Sequence, residues 1–206
     1  MHPIETNELW HAEATLIVAI ILQLTISEHL QLGPKYMVAT LLLFLVAAIA
    51  FTAPKRHIKS GAHITLATLL IALVSIANAG ELALLTKALI HGTVLPGKSL
   101  LSGALAIFLT NIIVFALWYW ELDSPGLSGR HKRADDHFQF PQSAAKTNWK
   151  PTFFDYLYTS LTNSTAFSPT DTMPLSHSAK SLMSAQALIA LLTVVLVTAR
   201  AVNILG

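Results

Sequence analysis

The sequence contains no cysteine. That excludes disulfides, thiolate metal sites and a cysteine nucleophile, and leaves the redox compartment open. Charge is the second scarcity: Asp, Glu, Lys and Arg make up 12% of the 206 residues, against 53% hydrophobic residues. So little charge does not clothe a soluble globule of this size, so the bilayer is the expected solvent. The formal charge is only +2, and the basic residues sit in a few loop clusters, which argues against nucleic acid as a partner. A Ser/His/Asp set, a phosphate-cradling loop and a zinc-protease pattern are also missing. No enzyme activity, cofactor or metal is therefore expected. The opening MHPIETNELWHAEA has no Lys or Arg ahead of its apolar run and does not read as a signal peptide.

What is present is a series of apolar runs. The first covers 12–27 and, extended to residue 32, reaches the length of about 20 residues that a span needs. Gly33 and Pro34 separate it from a second run at 36–53, which Pro54 ends. A third covers 62–85, with Ser75, Asn78 and Glu81 at three-residue steps on one face that should look inward. The fourth covers 100–120 and ends in Trp118, Tyr119 and Trp120, an aromatic cluster expected at headgroup level. Residues 121–150 then form a polar loop, long enough to be functional or flexible.

Apolar sequence resumes at 151. Thr152 and Asp155 have capping-box spacing, so a helix is expected from Phe153, and Ser168-Pro169 stops it. A helix over 153–167 is only about 22 Å long, less than the roughly 30 Å hydrocarbon core. A polar turn follows, then a final span over 179–204 with Ser176 and Ser178 as candidate caps.

Basic residues set the expected orientation. Lys55, Arg56 and Lys59 lie in one loop and Arg130, Lys132, Arg133, Lys146 and Lys150 in another on the same side; Lys35, Lys87 and Lys98 lie opposite. This places the N-terminus and both basic loops in the cytoplasm. The short helix then dips in and returns, giving five spans, or crosses, giving six. The length arithmetic and the polar run 162–165 favour the first, although bilayer thinning around a short helix is cheap.

The layout, with FDYLYTSLTNSTAFSPTDT followed by a helix ending in ARAVNIL, resembles the bacterial membrane family called domain of unknown function 1345. WYWELDSPG and DHFQFPQ resemble that family's fourth-helix end and linker; the resemblance implies a bacterial inner-membrane location and no activity. More remotely, YTSLTNSTAFSPTD resembles the pore helix and filter of tetrameric potassium channels, with Thr165, Asp171 and Pro174 near matching positions. Both filter glycines are missing and Pro169 has a fixed φ, so selective potassium conduction is not expected. The expected entry side is also opposite to a potassium channel's filter.

The expectation is therefore an all-α polytopic membrane bundle: a four-span scaffold (1–120), a polar cytoplasmic loop (121–150) and a pore-like helix-turn-helix (151–206). Thr162, Asn163, Ser164, Thr165, Ser168, Thr170 and Asp171 are pore-loop candidates, a polar constriction for ions or water. The structural alternative is a helix end and turn satisfying its own backbone. Glu81 and Arg200 are the candidate intramembrane charge pair, with a structural ion pair or snorkelling as the alternative. Asn78, Asn111 and Gln186 read as hydrogen-bonding glue between helices. His131, Asp135, Asp136 and His137 have metal-capable chemistry, but in a charged loop they read as solvated residues. The expected partners are the lipid bilayer, further copies of the chain and small ions. The function hypotheses are an ion pathway, an interaction scaffold docking a partner through 121–150, or a small-solute transporter, for which no internal repeat speaks.

Overall fold

The computed structural model describes residues 6–26, 30–31, 33–34, 36–52, 61–91, 96–123, 137–145, 149–165 and 172–205. Among them the chain is mostly helical: α1 (Thr6–Thr25), α2 (Met37–Thr52), α3 (Gly61–Ile90), α4 (Gly97–Asp123), α5 (Pro141–Ala145), α6 (Phe153–Thr165) and α7 (His177–Leu205). Two strands of two residues, β1 (Phe138–Gln139) and β2 (Met173–Pro174), pair antiparallel, Phe138 opposite Pro174. The long helices fall on the apolar runs of the sequence, whereas α5 and β1 lie within the stretch 121–150 that reads as a polar loop. Those long and apolar enough to cross a membrane are α3 from Thr65, α4, and α7 as far as Ala199; the apolar part of α1, Trp10–Thr25, is shorter.

The sequence punctuates these helices as chemistry requires. At the α1–α2 turn Gly33 has φ +80°, and a Cβ there would meet Met37 Cε at 2.7 Å. The Asp155 carboxylate accepts from the Thr152 N–H at 2.7 Å and from the Thr152 hydroxyl at 2.8 Å. This is half of the expected capping box, because the threonine hydroxyl donates to the carboxylate instead of accepting a backbone N–H. Ser176 caps α7, its Oγ accepting from the Ala179 N–H at 3.1 Å, whereas Ser178 lies inside the helix.

The core is organised around α4, which touches α1, α3, α6 and α7. In their apolar stretches 72% of α4 is buried inside the bundle against 22% of α7, so α4 is central and α7 peripheral. The surface is inverted relative to a soluble protein. Gln23, Asn78, Glu81, Thr110, Asn111 and Gln186 are buried, while Phe44, Leu101, Phe154, Leu188 and Leu191 are exposed. Apolar side chains turned outward and small polar ones turned inward are what a hydrocarbon solvent selects.

At the end of α4, Tyr119 and Trp120 are fully buried within the bundle, and Trp118 is half-buried, its indole N–H donating to Ser75 Oγ at 2.9 Å. The chain following α4 folds back over them. Ring centroids lie 5.1 Å apart for Tyr119 and Phe138, 5.2 Å for Trp120 and Phe153, and 5.4 Å for Phe140 and Tyr156. Aromatic pairs at these spacings contribute beyond the area they bury.

Candidate functional site

Asp123, the last residue of α4, holds the start of the α6–α7 hairpin. A carboxylate at a helix C-terminus faces the negative end of the helix dipole, so it needs donors from elsewhere. Among the described residues the His137 N–H at 2.6 Å and the Phe138 N–H at 3.0 Å donate to Oδ1, and the Tyr156 hydroxyl at 2.7 Å donates to Oδ2. One side chain thereby ties α4 to β1 and to the first turn and a half of α6. β1 in turn pairs with β2, the Leu175 N–H donates to His137 O at 2.8 Å, and His137 Nδ1 lies 2.7 Å from Ser176 Oγ. Both α6 and α7 thus begin at the C-terminal end of α4.

From there α6 and α7 run side by side, antiparallel to α4. Phe153 sits against Trp120, and two turns on the Ser160 hydroxyl donates to Ile112 O at 2.6 Å. Thr110 is the central residue of α4 by position, so α6, with 13 residues and about 20 Å of length, ends near the middle of the bundle. By Thr172 the chain is already back beside α6, with the Thr172 hydroxyl 3.4 Å from that of Thr159.

Gln186 of α7 is the hub that fixes α6 at this depth. Its Nε2 donates to Ser160 O at 2.9 Å, Ser160 Oγ at 2.6 Å and Ser164 Oγ at 2.7 Å. Its Oε1 accepts from the Tyr119 hydroxyl and from Asn163 Nδ2, the latter at 2.9 Å. Asn163 Nδ2 also reaches Met183 O at 3.0 Å, and Asn111 Nδ2 reaches Gln186 O at 3.5 Å. Three helices are bonded through one fully buried amide, which is the glue role expected of Gln186. Polar side chains in such a place are viable only when their partners are present.

The pore-loop candidates separate. Asn163 and Ser164 belong to the hub. The Thr162 hydroxyl donates to Tyr158 O at 2.8 Å and that of Thr165 to Leu161 O at 3.1 Å, so both cap their own helix. Ser168, Thr170 and Asp171 lie outside the described residues. Of the charge-pair candidates, Glu81 is fully buried and accepts from Gln23 Nε2 at 2.8 Å, while the Arg200 side chain is outside those described. Among the described residues no cluster of His, Asp or Glu could hold a metal; His131, Asp135 and Asp136 lie outside them. Sequence reasoning missed Asp123 and Gln23. The available signal was an acid closing an apolar span ahead of an aromatic linker, and an amide inside an apolar run.

The long apolar helices and the inverted surface place the chain in the class of helical membrane proteins, with a short helix let into one end of the bundle. Compared with protein-family models, with curated proteins and with solved structures, the chain matches none.

Proposed function

We propose that the chain is a subunit of a channel-like ion pathway in a bacterial inner membrane, in which α6 is a re-entrant helix whose C-terminal end faces the path of a small cation. The observation that carries this reading is the placement of α6: it starts beside the end of α4, stops near its middle, and is held there by the Gln186 hub. A helix ending at that depth presents its last carbonyls, the negative end of its dipole, where no lipid can satisfy them. Irregular backbone at membrane depth is tolerated where it is buried in protein or lines a wet cavity, and a cation is the species such carbonyls favour. The outward apolar face of α7, with Leu188, Leu191, Leu192, Val194 and Val195, suits packing against lipid and further copies around a shared path. The remote sequence resemblance of YTSLTNSTAFSPTD to the pore module of tetrameric potassium channels, without its filter sequence, supports the same reading.

Purified protein in liposomes is expected to pass cations above protein-free vesicles, with flux strongly reduced by Asp171→Ala. Absence of cation, anion and proton movement across a range of voltages and pH would sink the channel reading. Loss of the cellular phenotype on deleting 121–150, with Asp171→Ala silent, is what an interaction scaffold would give instead.

A further inference from the structure

The other half of the bundle holds a buried acid that the hairpin does not use. Glu81 lies in α3 about 14 Å from that helix's C-terminal end, counting nine residues at 1.5 Å to Ile90. It has no exposed surface. Its Oε2 accepts from Gln23 Nε2, but its Oε1 has no partner among the described residues. Asn78, three residues earlier and on the same face, also has a buried Oδ1 without a partner. The Gln31 amide is committed elsewhere, Nε2 donating to Gln23 O at 3.2 Å and to Ile26 O at 2.8 Å. Among the described residues this face of α3 therefore holds two buried acceptors without donors.

A small cavity of about 10 Å³ touches Glu81, Gln23, Gln31 and Tyr36, close to the room that one water needs. Its outer wall is the α1–α2 turn, where Pro34 and Tyr36 are exposed. Tyr36 is held there at φ 67°, a conformation costly for a bulky side chain. The turn stands at the end of the bundle opposite to the mouth of α6, since Leu30 is packed with Leu100, Ala104 and Ile107 in the first half of α4.

We propose that Glu81 is a proton-exchange site, loaded and unloaded through this cavity from the end of the bundle that carries the α1–α2 turn. A bare carboxylate facing only a neutral amide cannot be solvated by hydrocarbon, and a proton on Oε1 both removes the charge and supplies the donor that the face lacks. Among the described residues Tyr36 is the other titratable side chain lining the cavity. Among the described residues, Glu13 of α1, Glu121 and Asp123 of α4 and Lys180 of α7 lie toward the opposite end. Lys87, His91 and Lys98 are exposed at the near end, and α2 carries no charged residue. The inference does not depend on the hairpin conducting ions.

Infrared difference spectroscopy on the full chain in lipid vesicles tests it. The wild type should show a protonated carboxyl C=O band that is lost as the pH rises, shifts on transfer to D2O, and is absent from Glu81→Gln. Gln23→Leu, which keeps the acid and removes its hydrogen bond, should move the band to higher frequency. A band insensitive to D2O would mean a sealed structural acid, and a carboxylate signal responding to sodium at constant pH would mean a metal-ion site. Either result, or no wild-type band lost in Glu81→Gln, overturns the proposal.

Discussion

Replacing Gln186 with leucine is expected to cost about 2–4 kcal/mol of stability and to abolish any flux that depends on α6. Leucine is close to glutamine in size, so the change removes hydrogen bonds rather than opening a cavity. It strands Ser164 Oγ, leaves the Tyr119 hydroxyl without its acceptor, and reduces the Asn163 amide to its bonds with Met183 O and the Tyr119 hydroxyl. Hydrogen bonds between membrane helices average only about 0.6 kcal/mol in pairwise measurements, so one lost bond would be nearly silent. The expected effect is larger because one amide serves four side chains on two other helices, and the orphaned groups are buried. Unfolding in mixed detergent micelles reads the cost. Combining Gln186→Leu with Ser160→Ala should cost less than the sum of the two, since both changes remove the same bond between Gln186 Nε2 and Ser160 Oγ.

Asp123→Ala is expected to be of similar size, about 3 kcal/mol, through a different route. It leaves the His137 and Phe138 amides and the Tyr156 hydroxyl without their shared acceptor. The ribbon of β1 and β2 then loses its tie to α4, and α6 loses its anchor at the entry end. Amide hydrogen exchange should rise sharply at residues 137 and 138 while the centre of α4 stays protected. Asp123→Asn should fall between wild type and alanine, because its one remaining oxygen can serve the two amides or the tyrosine, not both. Unchanged exchange at 137 and 138 in Asp123→Ala would show that the clamp does not hold the ribbon.

Much of the helical layout was legible because the signals are local. Apolar runs, Pro54, the Gly33-Pro34 turn and the Thr152/Asp155 pair each act within a few residues, and the helices start and stop beside them. The inward face of α3 was legible for the same reason, since Asn78 and Glu81 repeat at helical spacing and both are buried. Partners across the bundle were not. Gln23 meets Glu81 over a separation of 58 residues and Tyr119 meets Gln186 over 67, and periodicity says which face is polar without saying what it faces. What covers the aromatic end of α4 was hidden for a related reason: Trp and Tyr at a span's end also suit a core when a later segment covers them, as Phe138 and Phe153 do. Asn163 and Ser164 read as pore lining because hydroxyls and amides are what both a wet path and a buried hub use.

The central claim is that α6 enters and the chain leaves again at one end of the bundle. Because the chain has no cysteine, single cysteines report position without background. Lys150, just before α6, and His177, the first residue of α7, are both exposed, as is Lys98 at the start of α4. With a membrane-impermeant thiol reagent on intact cells and on inverted vesicles, Lys150→Cys and His177→Cys should react from the same side and Lys98→Cys from the other. Reaction of Lys150→Cys and His177→Cys from opposite sides would mean that α6 crosses the membrane, and would contradict the account.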